Sequence, residues 1–269
     1  MNCVSDLTGL LPRVSLRTLY REMRRCGYRW SCLKRKGVLS PQDHTGRLAW
    51  CRSHRHLPLS HWRNVSIYLD AVSFLYKENP LEAARSAKTR GWLRRSEKLL
   101  VTVKGRHEHD SKSGSVRFVV GIAHGQGCVL CHKYDELSGA SFAQLLKQNL
   151  PAAFARGQKS GRVVLQDNCP VQNSAAARAA YESFGVVRQI IPPRSPDLNP
   201  IENLFNCVKL FLQEEAIEKR ISKETIDQFA TRVEHAIHTV CGLYTDATVD
   251  SMPKRIRQIL GSRGRRASY

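Results

Sequence analysis

A chain of 269 residues that is 42% hydrophobic and 25% charged can bury the core of one large domain with a small appendage, which excludes disorder throughout. No stretch approaches the roughly 18 to 20 apolar residues that span a bilayer, and the opening MNCVSDLTGLLPRVS lacks a signal peptide's basic-then-apolar layout, so a soluble intracellular chain without a membrane partner is expected. With 43 Lys and Arg against 23 Asp and Glu the formal charge is +20, more than solubility requires, and it points to a polyanionic partner, most simply nucleic acid.

The first helix is predicted from about Ser15 to Cys26, with Ser15 as N-cap, Leu16, Leu19, Tyr20 and Met23 on one face and Gly27 placed to end it. Its opposite face carries Arg17, Arg21, Arg24 and Arg25. Such a face suits a DNA-contacting helix, and any solvated helix face can look the same. A short basic linker from Lys34 to Leu39 follows, and its Lys34, Arg35 and Lys36 suit phosphate contact or nuclear import. Ser40-Pro41 opens a second helix through Leu48, Ala49 and Trp50 to about His54. Residues 1–62 hold twelve Lys and Arg, Arg47 among them, against Asp6, Glu22 and Asp43, so positive charge is concentrated near the start.

From Trp62 strands and helices alternate. Apolar β-branched runs predict strands at Val65–Leu69, Leu99–Val103, Val116–Ile122 and Gly127–Tyr134, while the polar residues 77–97 read as an irregular crossing. Ser138 caps a helix to about Phe154, and a strand at Arg162–Gln166, an Ala-rich helix near Asn173–Phe184 and a short strand at Val186–Ile191 follow. A proline-rich turn leads into a helix from Pro200, and helices near Lys223–Val240 and Val249–Leu260 close the chain. This succession predicts a mixed sheet covered by helices on both faces. Nine scattered cysteines, an odd number, fit reduced thiols of a nuclear or cytosolic protein. Cys128 and Cys131 resemble half of a zinc motif whose second half is missing, and read as buried thiols in a strand. His54, His56, His107 and His109 lie in polar stretches and read as solvated surface.

Two carboxylates stand where a metal site in such a sheet draws its ligands. Asp70 follows Val65-Ser66-Ile67-Tyr68-Leu69 and Asp167 follows Val163-Val164-Leu165-Gln166, so each is delivered to a C-terminal strand edge, where neighbouring strands lie about 4.8 Å apart. Either Asp alone is better read as a turn residue or helix cap than as a catalytic group. Glu202, in the first turn of the Pro200 helix, offers a third ligand. It is also at the capping-box position, with Asn199 as N-cap and Pro200 at the first helical position, and the residue pattern leaves cap and ligand both open.

Gln166-Asp167-Asn168-Cys169-Pro170, followed after a helix by Ile191-Pro192-Pro193-Arg194-Ser195-Pro196-Asp197-Leu198-Asn199-Pro200-Ile201-Glu202-Asn203-Leu204, resembles the second and third acidic motifs of the Tc/mariner transposase superfamily. Between Asp167 and Glu202 lie 34 residues, the spacing of the branch with Asp, Asp and Glu. Trp62-Arg63-Asn64-Val65 leading to Asp70 is similar to the first motif. Ser15-Leu16-Arg17-Thr18-Leu19 with Gly27-Tyr28, and Arg47-Leu48-Ala49-Trp50, are similar to the end of the family's second helix-turn-helix and its linker. Ser251-Met252-Pro253-Lys254-Arg255-Ile256 is similar to the closing motif. Ala71, Gln172, Arg194 and Phe205 depart from the family pattern without removing a ligand, and residues 71–115 match it poorly.

The resemblance implies an α/β, ribonuclease H-like fold, a mixed five-stranded sheet flanked by helices over residues 62–245. Before it, residues 1–61 are expected to be a shortened helix-turn-helix remnant with a basic linker, and after it residues 246–269 a helix and basic tail. It also implies a DDE-type transposase and endonuclease in which Asp70, Asp167 and Glu202 hold two Mg²⁺ or Mn²⁺ ions roughly 3.5 to 4 Å apart. Asp70 is then the shared ligand, with Asp167 on the ion that activates water or a 3′-hydroxyl and Glu202 on the other. The implied partner is double-stranded DNA, transposon ends and target alike, bound by a homodimer in the nucleus. Two other readings stay open: a transposase-derived DNA-binding protein lacking catalysis or end recognition, and a ribonuclease H-like nuclease for another nucleic acid.

Overall fold

A computed structural model describes residues 14–32, 35–37, 39–85, 90–94, 100–102 and 114–267. In chain order the elements are α1 (Leu16–Arg25), β1 (Tyr28–Cys32), β2 (Arg35–Gly37), α2 (Pro41–His54), α3 (Leu59–Arg63), β3 (Ile67–Leu75), α4 (Pro80–Arg85), β4 (Arg90–Arg94), β5 (Leu100–Thr102), β6 (Ser115–Ala123) and β7 (Gly127–Tyr134). They continue with α5 (Gly139–Gly157), β8 (Val163–Gln166), α6 (Ala175–Ser183), β9 (Val187–Ile190), a 3₁₀ turn (Pro196–Leu198), α7 (Pro200–Glu218), α8 (Ile226–Asp250) and α9 (Met252–Gly261). The chain divides into two units, Met1–Val38 with Arg85–Glu108, and Leu39–Ala84 with His109–Tyr269.

In the smaller unit α1 starts as predicted, with Ser15 Oγ accepting from the Thr18 amide at 3.2 Å. Gly27, at φ 82°, turns the chain out of the helix and into β1. β1 pairs antiparallel with β4 and sets Trp30 opposite Trp92, whose ring centroid lies 5.6 Å from Trp30 and 5.5 Å from Tyr20. This aromatic packing makes the chain after α1 a strand, so the helix-turn-helix remnant expected over 1–61 is a helix followed by a strand, and α2 belongs to the larger unit. β2 falls in the expected linker and pairs with β5 in parallel, so the strand foreseen at 99–103 lies outside the main sheet. α4 and β4 occupy the stretch read as an irregular crossing.

The larger unit contains the expected mixed sheet, in the order β7-β6-β3-β8-β9. β6 is antiparallel to both β3 and β7, and β8 and β9 run parallel to β3. Strand alternation sorts side chains onto two cores. Ile67, Leu69, Val119 and Val164 pack with Leu146, Leu150 and Tyr181 of α5 and α6. Tyr68, Val72, Phe74, Val120 and Leu165 pack with Leu204, Val208, Val233, Ile237 and Ile256 of α7, α8 and α9. Pro151 inside α5 costs about 3 kcal/mol in an isolated helix. Fully buried Leu146 and Leu150, each worth about 1.5 to 3 kcal/mol, outweigh it, and α5 runs on to Gly157.

A buried ion pair welds the two ends of this unit. Arg47 on α2 donates to Asp197 Oδ1 and Oδ2 at 2.7 and 2.6 Å and to the Gly264 carbonyl at 2.9 Å, and both side chains are essentially inaccessible. Asp197 also accepts from the Ala267 amide at 2.7 Å, while Arg255 Nη1 donates to its backbone carbonyl at 3.1 Å. α2, α3 and α9 are built into the same unit, and α8 runs unbroken through residues 245 and 246. Arg47, one of the twelve basic residues near the start, is spent inside the fold.

Candidate active site

β3 and β8 align Ile67 with Val164 and Tyr68 with Leu165, and the same register carried forward sets Asp70 beside Asp167. β8 ends at Gln166, whereas β3 runs on to Leu75, so Asp70 is inside its strand and Asp167 follows the end of its own. Asp70 shares the alternation of Tyr68 and Val72, and Asp167 that of Leu165, which places both on the α7 side of the sheet. Glu202 sits in the first turn of α7. The three acids line one cleft of about 300 Å³ together with Asn168, Cys169, Arg194 and Asn199. Arg194 Nη1 lies 3.2 Å from Asp43 Oδ2.

Asn199 stands at the N-cap of α7. Its side chain makes no cap hydrogen bond, and its Nδ2 donates instead to Asp70 Oδ2 at 2.9 Å. The capping box is therefore not formed, and Glu202 faces the cleft with the two aspartates. Ala71 N donates to Asp70 Oδ1 at 2.8 Å, and Cys169 N donates to Asp167 Oδ1 at 3.0 Å. Asn199 Oδ1 is buried with no hydrogen-bond donor among the described residues. The motif pattern marked Asn199 only as a cap; its contact with Asp70 depends on how the 3₁₀ turn folds back on the sheet. Outer partners of this kind typically contribute 10- to 100-fold to ion affinity. Asn199→Ala should accordingly weaken Mn²⁺ binding about tenfold or more in a calorimetric titration, with melting temperature recorded alongside.

Burial pushes the Asp70 carboxyl well above its usual range, and the negative charges of Glu202 and Asp167 push it the same way, against the hydrogen bonds from Ala71 and Asn199. Burial also raises Asp167, against the hydrogen bond from Cys169. A carboxyl raised on folding stabilises the fold while protonated, below the unfolded value near 4, and that stabilisation is lost as pH rises through the folded value. In chelator, the melting temperature of Asp70→Asn relative to wild type should therefore rise as pH goes from about 4 toward neutrality. At pH 7 Asp70→Asn should melt higher than wild type. A mutant that melts lower at neutral pH in chelator would contradict the crowding of negative charge in the cleft.

The basic residues singled out in the sequence lie in the smaller unit. Arg17, Arg21 and Arg24 line a shallow hollow with Tyr20, and Arg25 is also exposed. Arg21 and Arg25 are 3.5 and 3.8 Å from Glu22. Lys34 lies outside the described residues, and Arg35 and Lys36 are placed on β2.

Three antiparallel strands continued by two parallel ones, with one carboxylate on β3 and another just after the adjoining β8, define a ribonuclease H-like domain. The chain belongs to the DDE superfamily endonuclease family, which matches residues 67–224. It is 23% identical over 257 residues to the Tcb2 transposase of Caenorhabditis briggsae, covering 95% of this chain and 88% of that one. It is 22% identical over 269 residues to the Tc1 transposase of Caenorhabditis elegans, covering 96% and 89%. Among solved structures, the catalytic domain of Mos1 mariner transposase is similar with a TM-score of 0.62 at 14% identity, covering 87% of this chain and 99% of that one. A Mos1 paired-end complex with the left transposon end is similar with a TM-score of 0.64 at 17% identity, covering 98% and 74%. These likenesses agree with the Tc/mariner resemblance read from the sequence.

Proposed function

We propose that this chain is a cut-and-paste DNA transposase of the Tc/mariner type, with Asp70, Asp167 and Glu202 as its catalytic, metal-holding residues. The observation that carries this reading is the meeting of three carboxylates from β3, the end of β8 and the start of α7 in one cleft. Their hard oxygens suit Mg²⁺ or Mn²⁺, and the mutual repulsion at Asp70 is what a cation relieves. The unpartnered Asn199 Oδ1 adds a neutral acceptor beside them. Two such ions supply a nucleophile at neutral pH and neutralise charge on the leaving oxygen of an in-line phosphodiester displacement. Asn199 and the Ala71 amide orient Asp70, and the Cys169 amide orients Asp167. The acids therefore meet their ions with little reorganisation.

Double-stranded DNA is the partner that the charge of +20 favours. Arg17, Arg21, Arg24 and Arg25, with Lys34, Arg35 and Lys36, would hold backbone phosphates. Mos1 complexes with paired ends and Mn or Mg support DNA ends and divalent ions as the working arrangement. A homodimer acting in the nucleus belongs to the same reading. Incubation of the full chain with plasmid and Mn²⁺ tests the proposal. Nicking should appear, vanish in chelator and in Asp167→Asn, and exceed cleavage of an RNA–DNA hybrid. Neutralising the four arginines of α1 should lower the log–log salt slope of DNA binding by about 0.9 for each phosphate no longer neutralised. Binding without nicking, or preference for the hybrid, would overturn the transposase reading.

A further inference from the structure

The outer strand of the sheet carries a second cluster that the acidic cleft does not use. In an unbroken strand residues 128 and 131 point to opposite faces. Here the pairing of β7 with β6 slips by one: Gly121 lies opposite Leu130 and Ile122 opposite Cys128, so Val129 is the extra residue of a bulge. Val129 and Leu130 both pack on the α5 side, and Cys128 and Cys131 both face the α8 side. Arg156 Nη1 holds the bulge by donating to the Val129 carbonyl at 2.9 Å.

On α8, His238 and Cys241 are three residues apart and so share a helix face. Gly127 brings the two elements together: a Cβ there would lie 3.2 Å from the Gly242 Cα and 3.3 Å from the Cys241 carbonyl carbon. The absence of a side chain at Gly127 allows Cys128 to approach Cys241. The Cys128 thiol donates to the Leu130 carbonyl at 3.4 Å and lies in the same cluster as Cys131 and Cys241, with His238 beside it. Cys131 Sγ, a Glu234 oxygen and a His238 ring nitrogen lie within 4.8 Å of one another. Cys128, Cys131 and Cys241 are all unbridged thiols.

We propose that Cys128, Cys131, His238 and Cys241 bind one zinc ion that fastens the edge strand β7 to α8. The missing half of the zinc motif is thus His238-x₂-Cys241, supplied by a helix distant in sequence. Three thiolates and an imidazole are a donor set that structural zinc takes in tetrahedral geometry and that Mg²⁺ does not favour. Glu234, one helical turn before His238, brings a carboxylate oxygen within 4.8 Å of both the His238 ring nitrogen and Cys131 Sγ and completes the surroundings of the ion. His238 and Glu234 are exposed, which leaves a path for the ion to enter. As each sulfur bonds to zinc its thiol proton passes to solvent, and no oxidant is involved. The site is separate from the acidic cleft and its chemistry is that of soft ligands.

The test is metal analysis of the full chain, purified reduced from zinc-supplemented medium, and Co²⁺ substitution read by absorption. One zinc per chain is expected. Cobalt should give a thiolate charge-transfer band with the strong visible bands of a tetrahedral site. Cys131→Ser and Cys241→Ser should lose stoichiometric zinc and the band, while Asp70→Asn and Asp167→Asn keep both. The wild-type melting temperature should also fall when zinc is removed under reducing conditions. If a cysteine variant does not fold, the wild-type cobalt spectrum decides alone. Absence of the thiolate band in folded, reduced wild type overturns the proposal, and so does zinc that survives Cys241→Ser but is lost in Asp70→Asn.

Discussion

Replacing Asp70 with Asn, Asp167 with Asn or Glu202 with Gln should each lower single-turnover DNA cleavage by about 10³-fold or more, with duplex DNA still bound. Each change removes one anionic oxygen from the cleft and nearly preserves volume. Losing about 4 kcal/mol of transition-state stabilisation corresponds to about 10³ in rate, within what a displaced metal ligand costs. Asp70 should be the most sensitive, since it is the most buried of the three and feels both other acids. The amide introduced by Asp70→Asn can still be held, because Asn199 can turn its unpartnered Oδ1 toward it. Nicking rates with anisotropy-measured DNA binding separate the two effects. Wild-type rates in any of the three variants would remove that residue from the catalytic set.

Removing one side of the Arg47–Asp197 pair should be the most damaging single change to the fold. Both groups are fully buried, and Asp197 holds α2, α9 and the residues after α9 through four hydrogen bonds at its side chain and carbonyl. Breaking a buried pair leaves an uncompensated charge and costs about 3 to 5 kcal/mol. For a domain of this size that lowers the melting temperature on the order of 10 °C. Arg47→Ala and Asp197→Ala should both show this loss. Arg47→Met combined with Asp197→Leu should recover part of it, since no charge is then stranded. Asp197 also anchors the turn that presents Asn199 and Glu202, so Asp197→Ala should cut cleavage further than its melting temperature alone explains. Single variants that melt within a degree or two of wild type would show that the pair contributes little.

Most of the sheet was legible because its signals are local. Gly127–Tyr134 coincides with β7, and Ser15, Ser138 and Pro200 mark helix starts where capping chemistry places them. Asp70, Asp167 and Glu202 were legible as a set only through motif resemblance, since each Asp alone reads better as a turn residue or cap and Glu202 alone reads equally well as a cap. What escaped the sequence depends on distant partners. Arg47 looks like surface charge until Asp197 is folded against it, and Asn199 looks like a cap until Asp70 lies beside it. The Arg90–Arg94 strand has a polar pattern and is made by the Trp30–Trp92 pairing. His54 reads as solvated yet stacks on Trp50 at 3.9 Å, and His107 and His109 lie outside the described residues. Cys128 and Cys131 fall on opposite faces by simple alternation, and only the bulge at Val129 turns them the same way.

The most direct measurement is anomalous diffraction from a crystal of the full chain soaked in Mn²⁺. Two manganese peaks should appear in the cleft, with oxygens of Asp70, Asp167 and Glu202 as ligands, and Asp70 touching both. A cleft without manganese under conditions that support nicking, or manganese bound by other residues, would contradict the assignment of these acids to catalysis.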